Sequence, residues 1–197
     1  SAEPKGHAMP ASQPPSKIML IRHGEKPPPE GPPPAGVHED GTQHDQSLIV
    51  RGWQRAGALV GFFTHPWDPA IETPAWIYSP PRKHDDGDHG RPYETATPLA
   101  ARLNLAPDTS FSLEQEEPLV GDVRTRAGVV LIAWEHKRIP RIANALLGDT
   151  TTAPQQWPGD RFDLVWLFDL QPDGRYRFGQ RPQLLLHGDR TDLPTSG

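Results

Sequence analysis

The chain has 197 residues, enough for one domain with a sizeable core. Its 25 prolines and 18 glycines with only 35% hydrophobic residues point to a compact core carrying long irregular loops. The formal net charge of -5 gives no global case for binding nucleic acid or an anionic membrane, and the lack of cysteine excludes disulfides, thiolate metal sites and cysteine nucleophiles.

No apolar run approaches the length of a membrane span, and no signal-peptide core is present. That slightly favours a cytoplasmic location and leaves the compartment open. Residues 1–16, rich in Pro, Ala and Ser, read as a flexible leader. Residues 17–190 read as a single domain, and 191–197 as a flexible tail.

In chain order, residues 17–21 (Lys-Ile-Met-Leu-Ile) form a short apolar run expected to be a buried strand, followed at once by Arg22-His23-Gly24-Glu25. Residues 26–46 are a long Pro-rich loop of the kind that often carries function. Residues 50–63 predict a helix with Trp53, Ala56, Val60 and Phe63 on one face. A short strand is expected at 76–78, a charged loop at 80–90, and a helix over 93–103 with Pro92 at its first position. Residues 111–113 are a strand candidate, and 114–126 hold one short helix at most. Residues 129–134 give the best buried strand. Residues 137–147 give the best helix, stopped by Gly148. Residues 162–170 and 176–180 flank Pro172-Asp173-Gly174 as a hairpin.

Alternating strands and helices predict a three-layer α/β/α sandwich, its sheet mostly parallel with an antiparallel edge hairpin. Ligands of such sheets gather at the carboxyl ends of the parallel strands. His23, Ser79 and His136 each follow a strand and should open onto one crevice.

Breaking a phosphate monoester needs an in-line nucleophile, fixed positive partners for the non-bridging oxygens, and a proton for the leaving oxygen. Neutral imidazole is a competent nucleophile near neutral pH. The guanidinium fork suits phosphate oxygens. Arg22 and His23 stand together at one strand end, while His136 and Arg91 each stand before a helix start, where an anion is favoured.

At these residues the chain resembles the histidine phosphatase superfamily, the phosphoglycerate mutase-like fold, over roughly residues 17–189. Ile18-Met19-Leu20-Ile21-Arg22-His23-Gly24-Glu25 is similar to its first strand and Arg-His-Gly motif. Leu48, Gly52 and Ala56 resemble the segment that follows. Tyr78-Ser79 with Arg91-Pro92-Tyr93-Glu94-Thr95-Ala96 resembles its Ser … Arg-Ala-x-x-Thr-Ala pattern. Residues 129–136, with Ile139 and Leu146-Leu147-Gly148, resemble its second-histidine segment.

The resemblance implies that His23 is phosphorylated and that Arg22, Arg91 and His136 grip the phosphoryl group. It implies no metal and no organic cofactor. Ser79 either contacts phosphate or shapes its turn, the latter slightly favoured, and Glu25 is expected as a structural partner rather than a catalyst. For the proton donor, Glu114 and Glu116 lead, with Glu117 and Glu135 as rivals.

The chain departs from the pattern in four places. Ile49 replaces a helix-capping Thr, and Arg82 competes with Arg91. Pro92 replaces Ala, and the acidic Glu135 precedes His136, where its charge would favour the protonated imidazole.

The expected activity is hydrolysis of a small phosphorylated substrate or phosphoprotein, releasing inorganic phosphate. Alternatives of the same fold are a phosphomutase and a phosphohistidine-protein phosphatase. Only about forty residues separate Arg91 from His136, which favours an open hydrolase site over a mutase. Two readings from other classes are a non-catalytic module that binds a phosphorylated ligand and a metal-dependent hydrolase. The latter would use His84-Asp85-Asp86-Gly87-Asp88-His89 or His38, Asp40, His44 and Asp45, although a solvated loop is the better reading of both segments.

Overall fold

A computed structural model describes residues 13–84, 87, 88 and 90–196. Its main sheet has five strands: β1 (Lys17–Arg22), β2 (Trp76–Tyr78), β5 (Val129–Trp134), β6 (Leu164–Leu170) and β7 (Tyr176–Pro182). Their order is β2-β5-β1-β6-β7. β1 and β2 both pair in parallel with β5, while β6 lies antiparallel between β1 and β7. The sheet is thus evenly mixed, with the expected hairpin at one edge.

Helices α1 (Val50–Thr64) and α2 (Gly90–Leu103) cover one face. Leu59, Phe62, Phe63, Ala96 and Leu99 pack there on Met19, Ile21, Leu131 and Ala133. Helices α3 (Glu116–Val123) and α4 (Ile139–Leu147) cover the other, where Leu119, Val123, Ile142 and Leu146 meet Leu20, Ile132, Trp134 and Trp166. Alternate residues of β1 and β5 feed opposite cores, the period-two consequence of a strand buried on both sides. None of the described helices is long and apolar enough to cross a membrane.

Several boundaries differ from expectation for local reasons. α2 begins at Gly90, so Arg91 lies inside its first turn and Pro92 at its third residue. Within α2, Pro98 has no N–H to offer the Glu94 carbonyl, and the Thr97 hydroxyl donates to it instead at 2.9 Å. α4 starts two residues later than expected, because the amides of Arg138 and Ile139 both turn back to the Glu135 carbonyl. Gly148 ends it with φ 75°, the left-handed cap that glycine adopts without strain.

The strand expected at 111–113 does not form. Asp108 already bridges the edge of β2, and the Ser112 amide donates to Gln115 Oε1, so the chain turns into α3. The loop expected at 80–90 includes a short ribbon of β3 (Lys83–His84) and β4 (Gly87–Asp88). Residues 85, 86 and 89 of the acidic His/Asp segment lie outside the described residues, as do residues 1–12 of the leader.

Both ends of the expected domain are fastened. Tyr176 donates to the Pro15 carbonyl, and Ser16 bridges Gly128 and Leu170. In the C-terminal segment, Arg161 donates to the Asp192 carbonyl, Gln180 to that of Pro194, and Ser196 to that of Thr152.

The face of α1 also differs. Its buried residues include Arg55 and Leu59, while Trp53 and Val60 are only half-buried. Arg55 is 1% exposed and belongs to a charged network under the site.

Candidate active site

The carboxyl ends of β1, β5 and β2 meet at one edge of the sheet. Arg22 pairs with Trp134, and the His23 amide continues the ladder by donating to the Trp134 carbonyl at 3.2 Å. The residues after β1 and β5 therefore leave the sheet side by side.

His23 is buried, and its Nδ1 lies 2.7 Å from the Gly24 carbonyl. A carbonyl only accepts, so Nδ1 carries the proton and Nε2 keeps its lone pair. Burial, then the charge of Arg22, lowers the pKa of His23 to about 3, and Arg91 pushes the same way. The imidazole is neutral at physiological pH, with Nε2 as its basic nitrogen.

The turn is held by a close approach. Gly24 donates its amide to Thr95 Oγ1, whose hydroxyl donates in turn to the Arg91 carbonyl. A Cβ at Gly24 would stand 2.8 Å from the Gly52 carbonyl oxygen, and one at Gly52 would stand 2.5 Å from that of Glu25. Glycine at both places lets the Arg-His-Gly turn lie directly on the start of α1.

Arg22 is fully buried. Its Nη1 donates to the carbonyls of Gly159 and Arg161, and its guanidinium stacks 3.8 Å from the centre of the Phe162 ring. Its Nε and Nη2 have no hydrogen-bond partner among the described residues. Burial lowers its pKa to about 10, with the nearby carboxylates of Glu135 and Glu25 opposing that shift. Two buried, unpartnered donors on a cation cost about 1–3 kcal/mol each, a cost that an oxyanion would offset.

His136 is 8% exposed. Its Nε2 faces Gly159, the residue whose carbonyl accepts from Arg22. Its Nδ1 is 2.9 Å from Glu135 Oε1, an ion-pair distance at an angle that makes no hydrogen bond. Arg91 donates to the Asp45 carbonyl at 2.9 Å, which ties the end of the long loop to α2, and its charge acts on both His23 and Arg22.

The remaining expected residues are placed as follows. Ser79 is buried with its hydroxyl on the Pro80 carbonyl, the arrangement of a turn-shaping residue. Glu25 accepts from Arg51 and twice from Arg55. The rival Arg82 is bound by Glu39 and Glu94. Glu116 is buried against Arg138, and Glu114 is exposed with φ 77°. Both line a separate depression of about 540 Å³ against α4, together with Arg141 and Asn144. Among the described residues no three His, Asp or Glu side chains are grouped to share a metal ion.

Three features of the site escape a reading by motif. Lys26 is half-buried beside it, its pKa lowered by burial and then by Arg22 and Arg91. Phe162 supplies the surface on which Arg22 lies. The Gly159 and Arg161 carbonyls aim the guanidinium. The run Pro158-Gly159-Asp160-Arg161 falls between expected elements and Phe162 at the start of the expected strand 162–170, and no local pattern says that they meet residue 22.

No family model matches the sequence, and no curated protein matches it. Solved structures do share its shape. A phosphoserine phosphatase mutant from Entamoeba histolytica, in complex with phosphoserine, superposes with a TM-score of 0.50 at 15% identity, over 82% of this chain and 94% of that one. A candidate phosphohistidine phosphatase, SixA, from Agrobacterium tumefaciens also gives a TM-score of 0.50, at 14% identity, over 83% of this chain and 97% of the other. The chain shares the phosphoglycerate mutase-like α/β fold of these structures.

Proposed function

We propose that the protein hydrolyses phosphomonoesters through a phosphohistidine on His23. The observation that carries this reading is the pairing of a buried neutral imidazole with a buried guanidinium. Nε2 of His23 keeps its lone pair, and beside it Arg22 holds two donor nitrogens without partners. The first is what an attack on phosphorus needs, and the second is what its oxygens need. Arg91 and His136 complete the grip. The names of the two structural neighbours, both phosphatases, are in keeping with this assignment.

Phosphoryl transfer follows from these residues. The Nε2 lone pair attacks phosphorus as the ester P–O bond breaks, and water then cleaves the N–P bond to release inorganic phosphate. The substrate is a small phosphorylated molecule or a phosphoprotein.

The test is hydrolysis of nitrophenyl phosphate by the wild type and by His23→Ala, with a chelator present. Turnover that survives the chelator and vanishes in the variant is the expected result. Equal activity in both proteins would overturn the assignment of His23. Activity abolished by the chelator would favour a metal-dependent hydrolase.

A further inference from the structure

We propose that Glu135 is the catalytic carboxyl that exchanges a proton with the leaving group and then with water. This rests on the phosphatase reading and assigns the one role that reading leaves open. The Arg22–Trp134 register and the His23 amide bond to Trp134 put residue 135 beside residue 23 at the carboxyl edge of β1 and β5. The Glu135 side chain is 24% exposed, and its Oε1 sits 2.9 Å from His136 Nδ1. Its charge is felt at His23, Arg22 and Lys26 together.

The other nearby acids are engaged or turned outward. Both oxygens of Glu25 are bound by arginines, and Glu94 is bound by the Leu48 amide and by Arg82. Glu116 is held by Arg138, and Asp160 is exposed next to Arg190. Glu135 is left as a half-buried carboxyl at the mouth of the site.

At rest Glu135 is ionised. Burial alone would raise its pKa, but the neighbouring His136 and the Lys137 amide hold it below the usual carboxylate range. A phosphoryl anion arriving between Arg22 and the imidazoles is a like charge, and it shifts Glu135 toward its protonated form. In the first step the His23–P bond forms and the ester P–O bond breaks, and the Glu135 proton goes to the departing oxygen. In the second step water bonds to phosphorus, and its proton goes to the Glu135 carboxylate. The N–P electron pair then returns to Nε2. The products are the alcohol and inorganic phosphate, and the carboxyl is restored.

Nitrophenyl and phenyl phosphate have almost the same shape but differ in their need for a proton on departure. Glu135→Gln should lose about 100-fold or more in kcat/KM on phenyl phosphate and less than about ten-fold on nitrophenyl phosphate. It should also release a burst of nitrophenolate, because the water step has lost its base. The burst amplitude counts competent sites, so the loss is read per folded enzyme. Glu116→Gln should keep the wild-type ratio between the two substrates. Equal losses on both substrates would make Glu135 a positioning residue for His136 and overturn the proposal. A wild type that hydrolyses neither ester, or a His23→Ala variant as active as wild type, would overturn the phosphatase reading and this inference with it.

Discussion

The buried His23 imidazole stays neutral because burial and the neighbouring Arg22 charge outweigh the Gly24 carbonyl and the Glu135 charge, which favour its protonated form. For His23 that environment brings the pKa from about 6.5 to about 3. Between those values the unfolded chain binds a proton that the folded chain refuses, so folding stability rises with pH across the window and levels off above it. Lowering the pH below about 6.5 should therefore cost up to about 1.4 kcal/mol per pH unit from this residue alone. Denaturant unfolding of the wild type and His23→Gln between about pH 4 and pH 7 should show a shallower slope in the variant. Parallel slopes would mean that His23 is not held neutral by the fold. The positions of Arg22, His23, Arg91 and His136 at element ends are legible in the sequence, because the motifs keep their order. The setting of Arg22 was not legible. Its stacking on Phe162 and its two carbonyl acceptors span some 140 residues of chain and leave no local mark.

The elements that set the site are β1, the turn after it, and the start of α1. The turn lies so close to the helix that neither Gly24 nor Gly52 has room for a methyl group. Backbone oxygens cannot move aside as a flexible side chain can, so Gly24→Ala and Gly52→Ala should each destabilise the fold by about 1–3 kcal/mol. Gly24→Ala should also reduce turnover of an aryl phosphate, since the carbonyl of residue 24 fixes the His23 tautomer. Thermal unfolding together with a steady-state assay checks both effects, and an unchanged melting temperature in Gly24→Ala would show that the approach can relax. The buried strands β1 and β5 are readable from runs of apolar residues, and α4 from its period and terminal glycine. α1 is readable as a helix, but its buried face is not. A period argument scores arginine as polar and so outward, whereas Arg55 is turned inward by partners from two distant segments. Residues 111–113 have strand-forming character, yet the edge of β2 is taken by Asp108 before they can reach it.

At the scale of the molecule, the site is braced from beneath by a charged network that links β1, α1 and the C-terminal segment. Arg55 donates to both oxygens of Glu25, to Gln183 Oε1 and to both oxygens of Asp189. Burial alone would lower its pKa, but Asp189 and Glu25 hold it above its ordinary range. Nearby, the buried Arg161 joins Asp163 to the Asp192 backbone, and the same Arg161 offers its own carbonyl to Arg22. A buried ion pair adds little over a well-packed apolar one, but removing a single partner leaves an uncompensated charge. Arg55→Met should therefore cost about 3–5 kcal/mol, because Glu25 and Asp189 stay behind with only the more exposed Arg51 to share. The same logic separates two truncations. Deleting residues 193–197 leaves Asp189 and Asp192 in place and should change the melting temperature little. Deleting residues 187–197 removes both, and should lower the melting temperature together with kcat/KM, since the Arg161 carbonyl and the Glu25 charge both act on Arg22. If the longer deletion melts like wild type, the C-terminal segment only decorates the surface, and the bracing of the site must come from α1 alone.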